Sequence, residues 1–358
     1  MEPIQADSSS CVMKKLYDED LNDEGALSGQ AVWEKRVADL LTDTMLLPDG
    51  RSLSYHIDGD LAIGQPVVLM LHGMFSSRLC CVLPQRPERW TLVAVDRPGW
   101  GASSDPPKDY SYMSFARDME ALMDHLRIDR FSVVGHSSGG PNALAVAALL
   151  GPTRVPAAAC LSSDTEYRNA SPETPVDPMS HDFFCCFANC FRGLWMDGFV
   201  PLVTRRCPVI MSVLSLVMAW AAGTFTRIAV KANLVRQESE LVKEDASGSN
   251  FFMAALVEST RLGAAPSAAR RGGAGFGHDF AVERELFDFA PDSVRSRVLF
   301  WAGELDHDYL LCSRFSHNVL YPGSELHVVP NRGHLGVLAA DTLEPLIERT
   351  LEAGLKEV

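Results

Sequence analysis

Three short runs, "PVVLMLH" (66–72), "WTLVAVD" (90–96) and "FSVVGHS" (131–137), are apolar almost without interruption. A strand with one wet face alternates apolar and polar residues; one that does not alternate is covered on both faces, as in a parallel sheet between two layers of helix. Between the second and third runs, "SYMSFARDMEALMDHLRI" sets Phe115, Met119, Leu122, Met123 and Leu126 on one helical face. The order strand, helix, strand reads as a right-handed parallel crossover. The chain is therefore expected to be an α/β protein.

The same pattern frames the rest. Upstream, "TMLLPDGRSLSYHIDGD" has an apolar run, a Pro-Asp-Gly turn and an alternating run, which together predict a hairpin. Trp33, Val37, Leu40 and Leu41 recur at helical spacing and predict a short amphipathic helix on the body. After "AACLSSD" the alternation stops for about 120 residues, then resumes with "RVLFWAGELD", "SELHVVPNRGH" and a closing helix over 342–356 that turns Leu343, Leu346, Ile347 and Leu351 inward. Strands of one type on both sides of the break make it an insertion into a single sheet. The expected organisation is a tail and short helix over 1–42, the first part of the core over 43–165, a helical lid over 166–285 and the second part of the core over 286–358. The stretch "GAAPSAARRGGAG" (263–275) reads as a loop near the lid's exit.

Composition narrows the partners. Of 358 residues 47% are hydrophobic and the formal net charge is -14, so a substantial core is available but no cationic surplus to neutralise phosphates. Nucleic acid is not an expected partner. The first residues lack the basic start and apolar run of a secretory signal, and a cytoplasmic protein is expected. The nine cysteines, including Cys185, Cys186 and Cys190 in "CCFANC", show no zinc-type spacing and read as free thiols. Within the insertion, residues 207–226 carry no charge. They read as a buried lid helix, with a peripheral lipid contact through the lid and a membrane span as the alternatives.

The motif with most chemistry in it is Gly135-His136-Ser137-Ser138-Gly139, G-x-S-x-G, standing between the strand "FSVV" and the helical "PNALAVAALL". A nucleophile on such a turn is held in strained backbone geometry that needs small neighbours, and the helix N-terminus behind it favours developing negative charge. Ser137 is the expected nucleophile, and Ser138 the donor of one oxyanion N–H. A serine hydroxyl is a weak nucleophile without a base, so a histidine and a carboxylate are required. His334, in "PNRGHLG" after the last strand, is positioned to be the base, whereas His56, His125, His278 and His317 read as solvated and His136 as structural. Asp306 in "GELDHDYL" is the expected acid, with Asp308, Glu304 and Asp164 as rivals. Met74, in "MLHGMFSS" just past a buried strand, supplies the second oxyanion N–H. Asp96 and Arg97 are read as holding loops in place. Phe184, Trp195 and Trp220 are candidates for an apolar substrate wall in the lid.

Together these residues resemble the α/β-hydrolase family. The order Ser137, Asp306, His334 matches its nucleophile, acid and histidine; "HGM" matches its oxyanion loop and "DRPGWGASS" its D-x-x-G-x-G-x-S turn. The resemblance covers residues 43–165 and 286–358. It implies a mostly parallel eight-stranded sheet with helices on both faces, an inserted helical lid, and a serine hydrolase acting on a small-molecule ester with no cofactor and no metal. The same triad would serve a cofactorless hydrolase of a carbon–carbon, thioester or amide bond, or a perhydrolase. A non-catalytic relative binding a ligand or protein in the pocket is the third class. One departure stands out: "HDYLL" follows Asp306 where many relatives have valine and proline.

Overall fold

The computed structural model describes residues 29–166, 251–271, 274–283 and 285–355. Eight strands form one sheet in the order β1-β2-β4-β3-β5-β6-β7-β8. They are β1 (Leu41–Leu46), β2 (Ser52–Asp58), β3 (Val67–Leu71), β4 (Thr91–Val95), β5 (Ser132–His136), β6 (Ala157–Leu161), β7 (Arg297–Gly303) and β8 (Glu325–Val329). From β4 to β8 every pairing is parallel, and β2 alone runs against both of its neighbours, β1 and β4.

The unbroken apolar runs have the cause expected of them. Along β3, Leu69 and Leu71 join one core with Phe115, Met119 and Leu122 of helix α2 (Tyr112–His125) and Ala143 and Val146 of α3 (Gly139–Arg154). Val68 and Met70, pointing the other way, join a second core. That core includes Met253 of α4 (Phe251–Arg271) and Leu343, Leu346 and Ile347 of α7 (Ala340–Leu355). Each large apolar side chain buried this way stabilises the fold by about 1.5–3 kcal/mol relative to exposure. Helix α1 (Gly29–Ala38) docks through Trp33 on Phe251 and Ala254 of α4. Between β6 and β7 the described residues form α4 and α5 (Ala274–Val282); α6 (His307–Phe315) follows β7.

Three expectations are corrected. Leu41 is not on the docking face of α1: it opens β1 and is 65% exposed, because the helix ends at Ala38 and the chain leaves the helical period before reaching it. Residues 263–271 are the continuation of α4 rather than a loop. Their alanines and arginines are strong helix formers, and that preference outweighs Gly263 and Pro266. His56 is fully buried, since β2 is covered on both faces at that point, and burial drives its pKa down to about 3. Phe184, Trp195, Trp220, the Cys185/Cys186/Cys190 cluster and residues 207–226, for which roles are expected above, lie outside the described residues. Among the described residues no helix is long and apolar enough to cross a membrane.

Candidate active site

The turn from β5 into α3 is as tight as its motif requires. Ser137 has φ +53°, in the left-handed region that a side chain rarely adopts. The space around it is closed to larger neighbours: a Cβ on Gly135 would lie 2.1 Å from the Gly139 carbonyl oxygen, and one on Gly139 would lie 2.4 Å from that of Leu71. The strain is held by backbone bonds from Ser137 N–H to the Leu161 carbonyl (2.9 Å) and from Gly140 N–H to the Ser137 carbonyl (2.9 Å). Ser138 caps α3, and its carbonyl accepts from the Asn142 side-chain amide at 2.8 Å.

Two loops from the far end of the sheet meet this turn. His334 Nε2 lies 3.2 Å from Ser137 Oγ, and His334 Nδ1 lies 3.0 Å from Asp306 Oδ2. The ionised carboxylate can only accept, so Nδ1 carries the proton and Nε2 is left to accept from the serine hydroxyl. Asp306 is itself 4% exposed, at the N-terminus of α6. Of its rivals, Glu304 accepts the Asn331 N–H, Asp308 stands in the first turn of α6, and Asp164 follows β6. The imidazole is also flanked. Tyr309 lies against it with ring centroids 4.1 Å apart and the planes tilted by 35°, and His136 approaches from 4.9 Å. His136 Nε2–H donates to the His334 carbonyl at 2.8 Å; burial holds His136 neutral with a pKa of about 3. Tyr309 was not legible as a site residue: it stands in the first turn of α6, which begins just after Asp306, and no local pattern marks it as facing His334.

Across from the serine, Gly73 is close enough that a Cβ there would stand 2.9 Å from Ser137 Cβ. The half-buried Met74 follows it. This loop is fixed by His72. Its Nδ1–H donates to the Gly73 carbonyl at 2.6 Å, and its Nε2 accepts the Arg97 N–H at 3.0 Å. Burial, with the Arg97 charge acting in the same direction, keeps His72 well below the usual histidine range and therefore neutral. Arg97 returns a bond to the His72 carbonyl (2.8 Å) and makes a paired contact with the Asp279 carboxylate of α5 at 2.9 and 2.8 Å. Trp100 Nε1–H donates to the same carboxylate at 2.9 Å. Asp96 holds the other loop, accepting from Arg78 and from Ala102 N–H. Both residues thus do the loop-holding work read from their position. Among the described residues no cluster of three His, Cys, Asp or Glu side chains is arranged to hold a metal ion.

A parallel sheet with a strained serine between strand and helix, faced by a hydrogen-bonded histidine and aspartate, defines a hydrolase-type α/β architecture. The comparisons agree. A family model described as alpha/beta hydrolase fold matches residues 66–181. A serine hydrolase-like protein of Danio rerio is 38% identical over 81 residues, 22% of this chain and 24% of that protein. Serine hydrolase BPHL of Mus musculus is 34% identical over 115 residues, 30% of this chain and 38% of that protein. The matches therefore span about a quarter to two fifths of those relatives' lengths. Among solved structures, the 2-hydroxy-6-oxo-6-phenylhexa-2,4-dienoate hydrolase of Rhodococcus sp. strain RHA1 superposes with a TM-score of 0.58 at 21% identity, covering 87% of this chain and 99% of that one. The chain has the α/β-hydrolase fold, and the curated relatives that it matches in part include hydrolases.

Proposed function

We propose that the protein is a serine hydrolase that cleaves a carboxylic ester through an acyl-enzyme. The observation that carries this reading is the hydrogen-bonded chain from Asp306 through His334 to Ser137. His334 Nε2 takes the Ser137 proton as Oγ attacks the ester carbonyl, and Asp306 keeps the imidazole in the Nδ1–H tautomer and stabilises the cation that forms. The Met74 and Ser138 N–H groups hold the developing oxyanion, each such donor contributing about 10²- to 10³-fold in rate. His334 then protonates the departing alcohol, and a water activated by the same imidazole releases the acid. Neither step requires a metal or a cofactor.

The test is reaction of the full chain with a fluorophosphonate probe, which phosphonylates an activated serine. Wild type is expected to label, and both Ser137→Ala and His334→Ala to lose labelling. A folded wild type that stays unlabelled would sink the reading.

A further inference from the structure

The loop that carries Met74 is held at both ends by the stretch that returns to the sheet before β7. Its entry is fixed through His72 and Arg97, and Arg97 is fixed in turn by Asp279 of α5. Its exit is fixed by α4. Ser259 Oγ, fully buried on that helix, accepts the Ser77 N–H at 3.1 Å and donates to the Ser77 carbonyl at 3.3 Å. The hydroxyls of Ser76 and Ser77 lie 3.2 and 3.0 Å from the same oxygen. One helical side chain thus meets both polar backbone groups of Ser77, just downstream of Met74.

One helical turn further along the same face of α4, Gly263 sets how close the helix can come. A Cβ there would stand 2.0 Å from the Ser76 carbonyl oxygen and 2.5 Å from its carbon. Those are backbone atoms, which give way only if the loop moves. Glycine is among the poorest residues for a helix interior, so its place on α4 is explained by the contact and not by the helix. The Gly263 carbonyl also accepts the Gly101 N–H at 3.2 Å, which ties the helix to the turn after β4. Between these anchors Phe75 is held at φ +57°, a left-handed backbone that a side chain adopts only where its surroundings impose it, and its ring meets Trp100 edge-on at 5.7 Å. Phe75 is the immediate neighbour of Met74, so a change of φ there redirects the chain that carries the Met74 N–H.

We infer that Ser259 and Gly263 are positioning residues for the oxyanion donor, and that the seating of α4 on the Ser76–Ser77 backbone sets how well the transition state is held. The inference rests on the serine-hydrolase reading, in which the Met74 N–H is one of the two donors. An oxyanion forms only as Oγ attacks, so a displaced donor weakens the transition state and leaves the bound ester nearly untouched. A shift of about 1 Å costs about 10² in rate. Helix α4 thereby acts on the rate through the loop it grips.

The test compares wild type, Ser259→Ala, Gly263→Ala and Thr350→Val, a control that deletes an equally buried hydroxyl bonded within α7. Hydrolysis of 4-nitrophenyl butyrate, the rate of fluorophosphonate labelling and inhibition by 1,1,1-trifluoroheptan-2-one, which adds to the serine as a tetrahedral oxyanion, are measured on the full chain. Ser259→Ala is expected to lower kcat and the labelling rate about 10- to 100-fold with KM within about twofold. Ki for the ketone should rise by about the factor by which kcat/KM falls. Gly263→Ala should lose at least as much, and Thr350→Val less than about twofold. Should Gly263→Ala fail to fold, Ser259→Ala decides, since it removes a single oxygen. An active wild type whose kcat and labelling rate survive Ser259→Ala, or fall no further than in Thr350→Val, overturns the positioning role and leaves the serine chemistry standing. A rise in KM alone does the same, because it marks a group that holds the substrate. A folded wild type that neither turns over nor labels overturns the hydrolase reading and this inference with it.

Discussion

Two corners of the same sheet edge are built on opposite terms. At the reacting corner each polar group has its answer. Asp306 faces His334, His334 faces Ser137, and His136 holds the carbonyl of His334. Next door, the Arg97–Asp279 pair is closed in the same manner, with Trp100 as a third partner. On the other wall of the narrow cleft that Arg97 and Asp279 line, the Tyr112 hydroxyl has none. Buried polar groups that satisfy one another fix geometry, whereas one left open is tolerated only at a cost. The contrast separates residues that fix one another's geometry from a hydroxyl that the protein leaves unbonded.

The contrast is most severely tested by Asp306→Asn. That change keeps the shape but removes the charge and the tautomer preference, and kcat for an ester that the wild type hydrolyses should fall about 10⁴-fold with the fold intact by circular dichroism. A loss under tenfold would mean that another carboxylate, Asp308 or Glu304, orients His334.

Next in size is a pair of stability measurements. Asp279→Ala leaves the Arg97 guanidinium buried and unmatched, at side-chain exposures of 4% and 6% for the pair, and should cost about 3–5 kcal/mol in urea unfolding. Tyr112→Phe should leave stability unchanged or slightly raised, because it deletes an atom that bonds to nothing in the protein. If Tyr112→Phe costs as much as Asp279→Ala, the two walls are not different in kind.

The smallest effect is spread over pH. His56 and His136 are buried neutral with pKa values of about 3. The unfolded chain takes up protons at these positions below about pH 6.5, the folded chain not until near 3, so their contribution is complete above pH 6.5 and is lost as the pH falls toward 3. At pH 5 the loss is about 2 kcal/mol per histidine. Urea unfolding at pH 7 and pH 5 measures it. His56→Met should remove about half of the decline, since neither ring nitrogen of His56 has a partner to lose; an unchanged decline would show that other groups carry the acid lability.

How much of this could be read beforehand follows a physical line. The double-faced strands, the elbow at Ser137 and the loop-holding role of Asp96 and Arg97 were legible because each is written in a few adjacent residues: an unbroken apolar run, a glycine two residues either side of a serine, a charge in a turn. His56 was misread because a histidine in an alternating run carries no mark of what covers its second face. Residues 263–271 were misread because glycine and proline were weighed above the alanines around them.

Sequence alone determined the α/β architecture, the strained turn that carries the serine, and the order in which serine, aspartate and histidine follow one another. Those depend on short-range sterics and on the period with which apolar residues recur. Only the tertiary structure decided that Asp306 rather than Glu304, Asp308 or Asp164 meets His334, that the Tyr309 ring packs against the imidazole, and that Tyr112 and Glu283, 171 positions apart, line one cleft. Such meetings depend on how whole elements cross and pack, and side chains brought together across that distance leave no local trace in the chain.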